Sequence, residues 1–147
     1  MRRPHAICAL LLLAVATPAH ASVAVCKDPR GRIIGMPGSM AGGKRIDVED
    51  GMSGGVFTFR WTKGVKAAQV VAMGTPPSAP AVEDALVVFE SPAQVTFLVL
   101  HSSSVWLYSV YPALGRMVLT AHNDGLAGGT DGAVAKVFDG SCEVTVD

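Results

Sequence analysis

From residue 55 onward, apolar and polar side chains alternate in short runs separated by turn-forming residues. The clearest run is "GVFTFRW", with Phe57, Phe59 and Trp61 on one face and Thr58 and Arg60 on the other. A period of two places successive side chains on opposite faces of a pleated backbone, so this segment reads as a half-buried strand. "TKG" turns the chain into "VKAAQVVAM", and the prolines of "GTPPSAPA" (residues 74–81) mark a loop. "ALVVFE", "QVTFLVLH", "VWLYSVY" and "RMVLTAH" follow, punctuated by Pro92, "SSS" and the Pro-first turn "PALG". "NDGLAGGTDG" then leads into "AVAKVFDG" and "CEVTV", while "RGRIIGM" and "KRIDVE" are shorter candidates upstream. Strand-like runs recur about every 10–14 residues, and no window carries a capped helical stripe. The pattern predicts an all-β fold, an antiparallel meander forming a small barrel or a sandwich.

The first residues follow a different rule. Arg2 and Arg3 precede an uncharged apolar run from Ala6 to Ala16, and Pro18 and Ala19-His20-Ala21 close it. A basic start, a short apolar stretch and an A-x-A site define a secretory signal peptide, expected over residues 1–21. The run falls short of the ~20 apolar residues of a membrane span. Residues 22–147 are then one all-β domain with no transmembrane segment, periplasmic or secreted. Val25 before Cys26 and Ile7 before Cys8 do not fit a lipid-attachment site.

Export settles the expected role of the cysteines. Cys8 leaves with the leader, and Cys26 and Cys142 remain near the two ends of the domain. In an oxidising compartment they are expected to form a disulfide. Such a bond would pin the first strand to the last and close a sheet edge that otherwise invites aggregation. Loss of Arg2 and Arg3 leaves a formally neutral chain slightly acidic, with no basic stretch, which argues against nucleic-acid binding.

Several short motifs invite chemistry. "GMSGG" (residues 51–55) has the G-x-S-x-G form of a nucleophile elbow around Ser53, but a strand rather than a helix follows it. "GSMAGGKR" matches a phosphate loop at Gly38, Gly43 and Lys44, yet Arg45 stands where the magnesium-binding hydroxyl belongs. Asn123, Asp124 and Asp131 are hard oxygen donors without the spacing of a calcium loop. His101 and His122 each end a strand pattern, and Trp61, Trp106, Tyr108 and Tyr111 are core residues or a sugar- or lipid-binding face. No catalytic residue, metal ligand or cofactor is expected.

"SGGVF" followed by "FRWTKGVKA" resembles the motif region of the periplasmic C-type lysozyme inhibitors, small secreted β-barrels with a terminal disulfide. Ser53 and Gly54 match that family's S-G-x-x-Y loop, with Phe57 in place of tyrosine, and Thr62, Lys63 and Gly64 match its T-K-G. Only Thr58 to Trp61 separate the two motifs here, and both lie mid-domain. The resemblance implies a partner-binding loop containing Ser53, Gly54, Phe57 and Lys63. Gly140-Ser141-Cys142 is also similar to the G-x-C ending of small exported bacterial β-proteins of unassigned activity. The expectation is a non-enzymatic binding or interaction protein whose partner is a protein or a cell-envelope component. The alternatives are a lysozyme inhibitor and a small serine hydrolase using Ser53.

Overall fold

The computed structural model describes residues 21–35, 45–51, 54–74, 79–123 and 133–147 of the 147-residue chain. Nine strands run in order: β1 (Ser22–Gly35), β2 (Ile46–Gly51), β3 (Val56–Trp61), β4 (Ala67–Met73), β5 (Ala81–Glu90), β6 (Val95–Leu100), β7 (Ser104–Tyr111), β8 (Arg116–Asn123) and β9 (Val134–Thr145). From β3 to β9 each strand pairs antiparallel with the next. β9 then pairs with β1, which closes the sheet into an eight-stranded barrel. Of the two architectures that the alternation allows, the chain adopts the barrel.

β2 is an extension of the wall. The first half of β1, Ser22 to Lys27, pairs with β3, and its second half, Arg30 to Gly35, pairs with β2. β2 and β3 therefore run end to end along one neighbour, interrupted between Gly51 and Val56. The break faces an irregularity in β1 between Lys27 and Arg30. There Asp28 takes a positive φ of 48° and Pro29, which has no amide proton to give a ladder, sits where pairing lapses. The Asp28 amide donates to the Gly55 carbonyl at 2.9 Å.

The inward face is apolar, because each strand delivers alternate side chains to it. Phe59, Phe97, Tyr108, Met117, Leu119 and Phe138 are essentially fully buried there. Phe59 stacks on Phe97 at 5.1 Å and meets Tyr108 edge-on at 5.3 Å, so one aromatic column spans the barrel. The outward face of β3, β4 and β5 carries the register row Arg60, Gln69 and Asp84. Further round the wall, on β5 and β7, Leu86, Phe89 and Leu107 are exposed apolar side chains. No helix among the described residues is long and apolar enough to cross a membrane.

Cys26 and Cys142 are register partners on β1 and β9, and their sulfurs are bonded. The bond joins residues 116 positions apart, across the seam that closes the barrel. Close approach along the same seam dictates Gly31: a Cβ there would overlap the Val137 carbonyl oxygen and stand 2.7 Å from the Phe138 Cα.

Two boundaries differ from the sequence reading. β1 begins at Ser22, although "SVAVC" shows little alternation in hydropathy, because its inward residues Ser22, Ala24 and Cys26 are small and its outward ones are valines. β5 begins at Ala81, four residues before "ALVVFE". The expected signal peptide, the Gly38, Gly43 and Lys44 motif and the Asp124 and Asp131 loop lie outside the described residues, apart from Ala21.

Candidate functional site at the open end of the barrel

At the Trp61 end of β3 the aromatic column fills the barrel. At the Phe57 end the filling stops short. The β2–β3 break, the last residues of β4, the early part of β5 and the β6–β7 turn leave a cavity of about 670 Å³ there. Gly51 and Gly55 line it without side chains, and so do Ala72 and Gly74 with little or none. Glycine and alanine at these positions create the volume that larger residues would fill.

Alternation decides which chemistry reaches the cavity. On β7, Ser104, Trp106 and Tyr108 share the inward face, with Tyr108 deepest. On β5, Glu83 shares the inward face of Ala85 and Val87. His101 follows β6, and its amide donates to the Ser104 carbonyl at 2.9 Å, which closes the β6–β7 turn. Its Nε2 lies 3.7 Å from Glu83 Oε1, a separation longer than a hydrogen bond. The imidazole meets the Trp106 ring edge-on at 5.9 Å, and the Trp106 indole N–H donates to Ser104 Oγ at 3.0 Å. Two polar neighbours thus orient the Trp106 side chain on the rim.

The floor is Tyr108 with Phe57 beside it, ring centroids 5.7 Å apart. Burial, and secondarily the charge of Glu83, push the Tyr108 hydroxyl well above the ordinary phenol range. Lys136 of β9 places its ammonium over Trp106, 5.9 Å from the ring centroid. Register accounts for the contact, since Trp106, Ala121 and Lys136 are successive partners across β7, β8 and β9.

The residues of the expected partner-binding loop are divided between the two ends. Phe57 is only 5 % exposed and forms part of the core and of the cavity floor. Gly54, at φ 74°, sits in the β2–β3 break beside the cavity, where its amide donates to Asp28 Oδ1. Lys63 is exposed in the β3–β4 turn, at the opposite end of β3. That turn is held by Val65 N–H to the Thr62 carbonyl at 3.0 Å and by Gly64 N–H to Glu90 Oε2 at 2.8 Å. Lys63 therefore shares no rim with Phe57. Ser53 lies outside the described residues.

Glu83 is the residue that the alternation pattern missed. Starting β5 at Ala85 left Glu83 in a loop, whereas two more residues of the same alternation place it inside the barrel. His101, Trp106 and Tyr108 were visible as a strand-end histidine and two strand aromatics, but nothing in their spacing tied them to Glu83. Among the described residues no group of three or more His, Cys, Asp or Glu side chains stands close enough to hold a metal ion. A scan against protein-family models finds no match to this chain, and a search of curated proteins finds none either.

Proposed function

We propose that this is an exported binding protein that takes a small amphipathic component of the cell envelope into the open end of its barrel. The observation that carries the reading is the cavity itself: about 670 Å³, floored by Phe57 and Tyr108, walled by Trp106, with Glu83 and His101 as its converging polar groups. Small-ligand sites have this composition, mostly apolar walls with a few placed polar atoms. Ser104 Oγ accepts a hydrogen bond from the Trp106 indole N–H, which orients the ring that walls the cavity. The test is native mass spectrometry of the protein purified without denaturation from the envelope of an exporting cell. A retained small molecule that is absent from Trp106→Ala supports the reading, and a bare protein mass under all gentle conditions contradicts it.

A second reading, inhibition of a lysozyme, is favoured by the exposed Thr62-Lys63-Gly64 turn alone, since Phe57 faces the barrel interior. A lysine presented at a hairpin tip has the right charge for the paired carboxylates of a glycoside hydrolase. Loss of lysozyme activity in the presence of the protein, relieved by Lys63→Ala, supports this reading. Full activity at micromolar oxidised protein excludes it.

A further inference from the structure

We infer that the cavity at the open end of the barrel is built for an organic cation, an alkylated ammonium head that lodges against Trp106 with Glu83 as its counter-ion. The inference rests on the reading of this cavity as a ligand site and adds the charge of the ligand. Glu83 is the only acidic side chain among the described residues that line the cavity, and none of those residues is a lysine or arginine. Its side chain is 25 % exposed, enough to meet a ligand and buried enough for its charge to act through poorly screened surroundings. Among the described residues its side chain comes within 3.7 Å of His101 Nε2.

The rest of the lining suits the same ligand. Trp106 is half-buried at the cavity, with Tyr108 and Phe57 buried beneath it, and the faces of aromatic rings attract ammonium groups, tryptophan most strongly. Trp106 already receives one such group from the protein, the ammonium of Lys136. Lys136 is not among the described residues that line the cavity, and its charge opposes a second cation on the same ring. The raised ionisation of the Tyr108 hydroxyl has Glu83 among its causes, so the field of that carboxylate reaches the floor. A neutral sugar would use the tryptophan face and the polar rim but would leave the carboxylate uncompensated. An anion would be repelled by it.

The test compares three probes by isothermal titration against the full oxidised protein at neutral pH. They are choline, its uncharged isostere with a quaternary carbon in place of the nitrogen, and N-acetylglucosamine. The inference expects choline to bind at least about tenfold more tightly than its isostere. Glu83→Gln should erase that preference, and Lys136→Gln should strengthen choline binding severalfold. Circular dichroism checks that each variant is folded, and Glu83→Asp, which keeps the charge, should retain part of the preference. Equal binding of choline and its isostere, or a preference for the sugar, overturns the cation assignment while leaving the cavity a ligand site. Failure of all three probes, together with no retained molecule in native mass spectrometry, overturns both.

Discussion

The carboxylate of Asp28 accepts a 2.6 Å hydrogen bond from the amide of Gly54, across the break between β2 and β3. Asp28 is also the one non-glycine residue at positive φ among those described, a conformation that aspartate tolerates better than most. The pair holds the β2–β3 break open at the edge of the cavity. Asp28→Ala should lose the charged hydrogen bond and add backbone strain, costing about 2 kcal/mol in denaturant unfolding. Asp28→Asn keeps an acceptor and the φ tolerance, and should cost less than half as much. Equal costs for the two would show that the side-chain contact is idle.

The Cys26–Cys142 bond should dominate the response to reduction. A closed loop of 116 residues restricts the unfolded chain by about 4–5 kcal/mol in the chain-entropy account. Cys142→Ser, or reduction of the native protein, should lower stability by several kcal/mol while leaving the strand signal in circular dichroism. Intact mass without reductant should be two hydrogens below the reduced mass of the same polypeptide. Titratable thiols in the oxidised native protein would contradict the pairing.

Gly31 tests the seam between β1 and β9. A methyl group there meets the backbone of Val137 and Phe138, which cannot move without breaking the ladder. Gly31→Ala should cost about 3 kcal/mol or more, at the upper end of overpacking effects. Gly64→Ala, where a Cβ would meet open space, should cost only the price of its positive φ, about 1 kcal/mol. Comparable melting temperatures for the two variants would refute the packing argument.

Tyr108 gives the alkaline limit of the fold. Its ionisation is raised by burial first and by Glu83 second, so above the ordinary phenol range the unfolded chain loses a proton that the folded chain retains. Stability is therefore fully present below about pH 10 and falls as pH rises beyond it, by up to about 1.4 kcal/mol per pH unit. Phenolate absorbance should show one of the two tyrosines titrating only as the protein unfolds. Glu83→Gln removes the secondary cause of the raised ionisation and should make the loss of stability above about pH 10 smaller. Simultaneous ionisation of both tyrosines in the folded state would contradict the buried floor.

Much of this architecture was legible in the sequence because alternation is a local signal. Phe57, Phe59 and Trp61 declared their shared face directly, and all three are buried. Cys26 and Cys142 declared the seam through compartment and position. Barrel closure was less legible, because it depends on β1 pairing on both sides, and small inward residues hide the first half of that strand. The site was the least legible part. Glu83, His101 and Trp106 lie on β5, after β6 and on β7, and only the register of three strands brings them to one opening. Lys63 shows the converse: six positions from Phe57 in sequence, it occupies the other end of the barrel, because an extended strand carries its ends about 3.3 Å apart per residue.

The proposed ligand site at the open end is tested most directly by heteronuclear NMR of the labelled protein, titrated with the small-molecule fraction of envelope extract. The two indole N–H signals, Trp106 at the cavity and Trp61 in the packed half of the barrel, are internal reporters. The account predicts saturable shifts at the Trp106 indole and at the amides of Gly55, Gly74 and His101, with the Trp61 indole and Lys63 unmoved. A spectrum that stays unchanged throughout, or shifts centred on Lys63 and the β3–β4 turn, would contradict it.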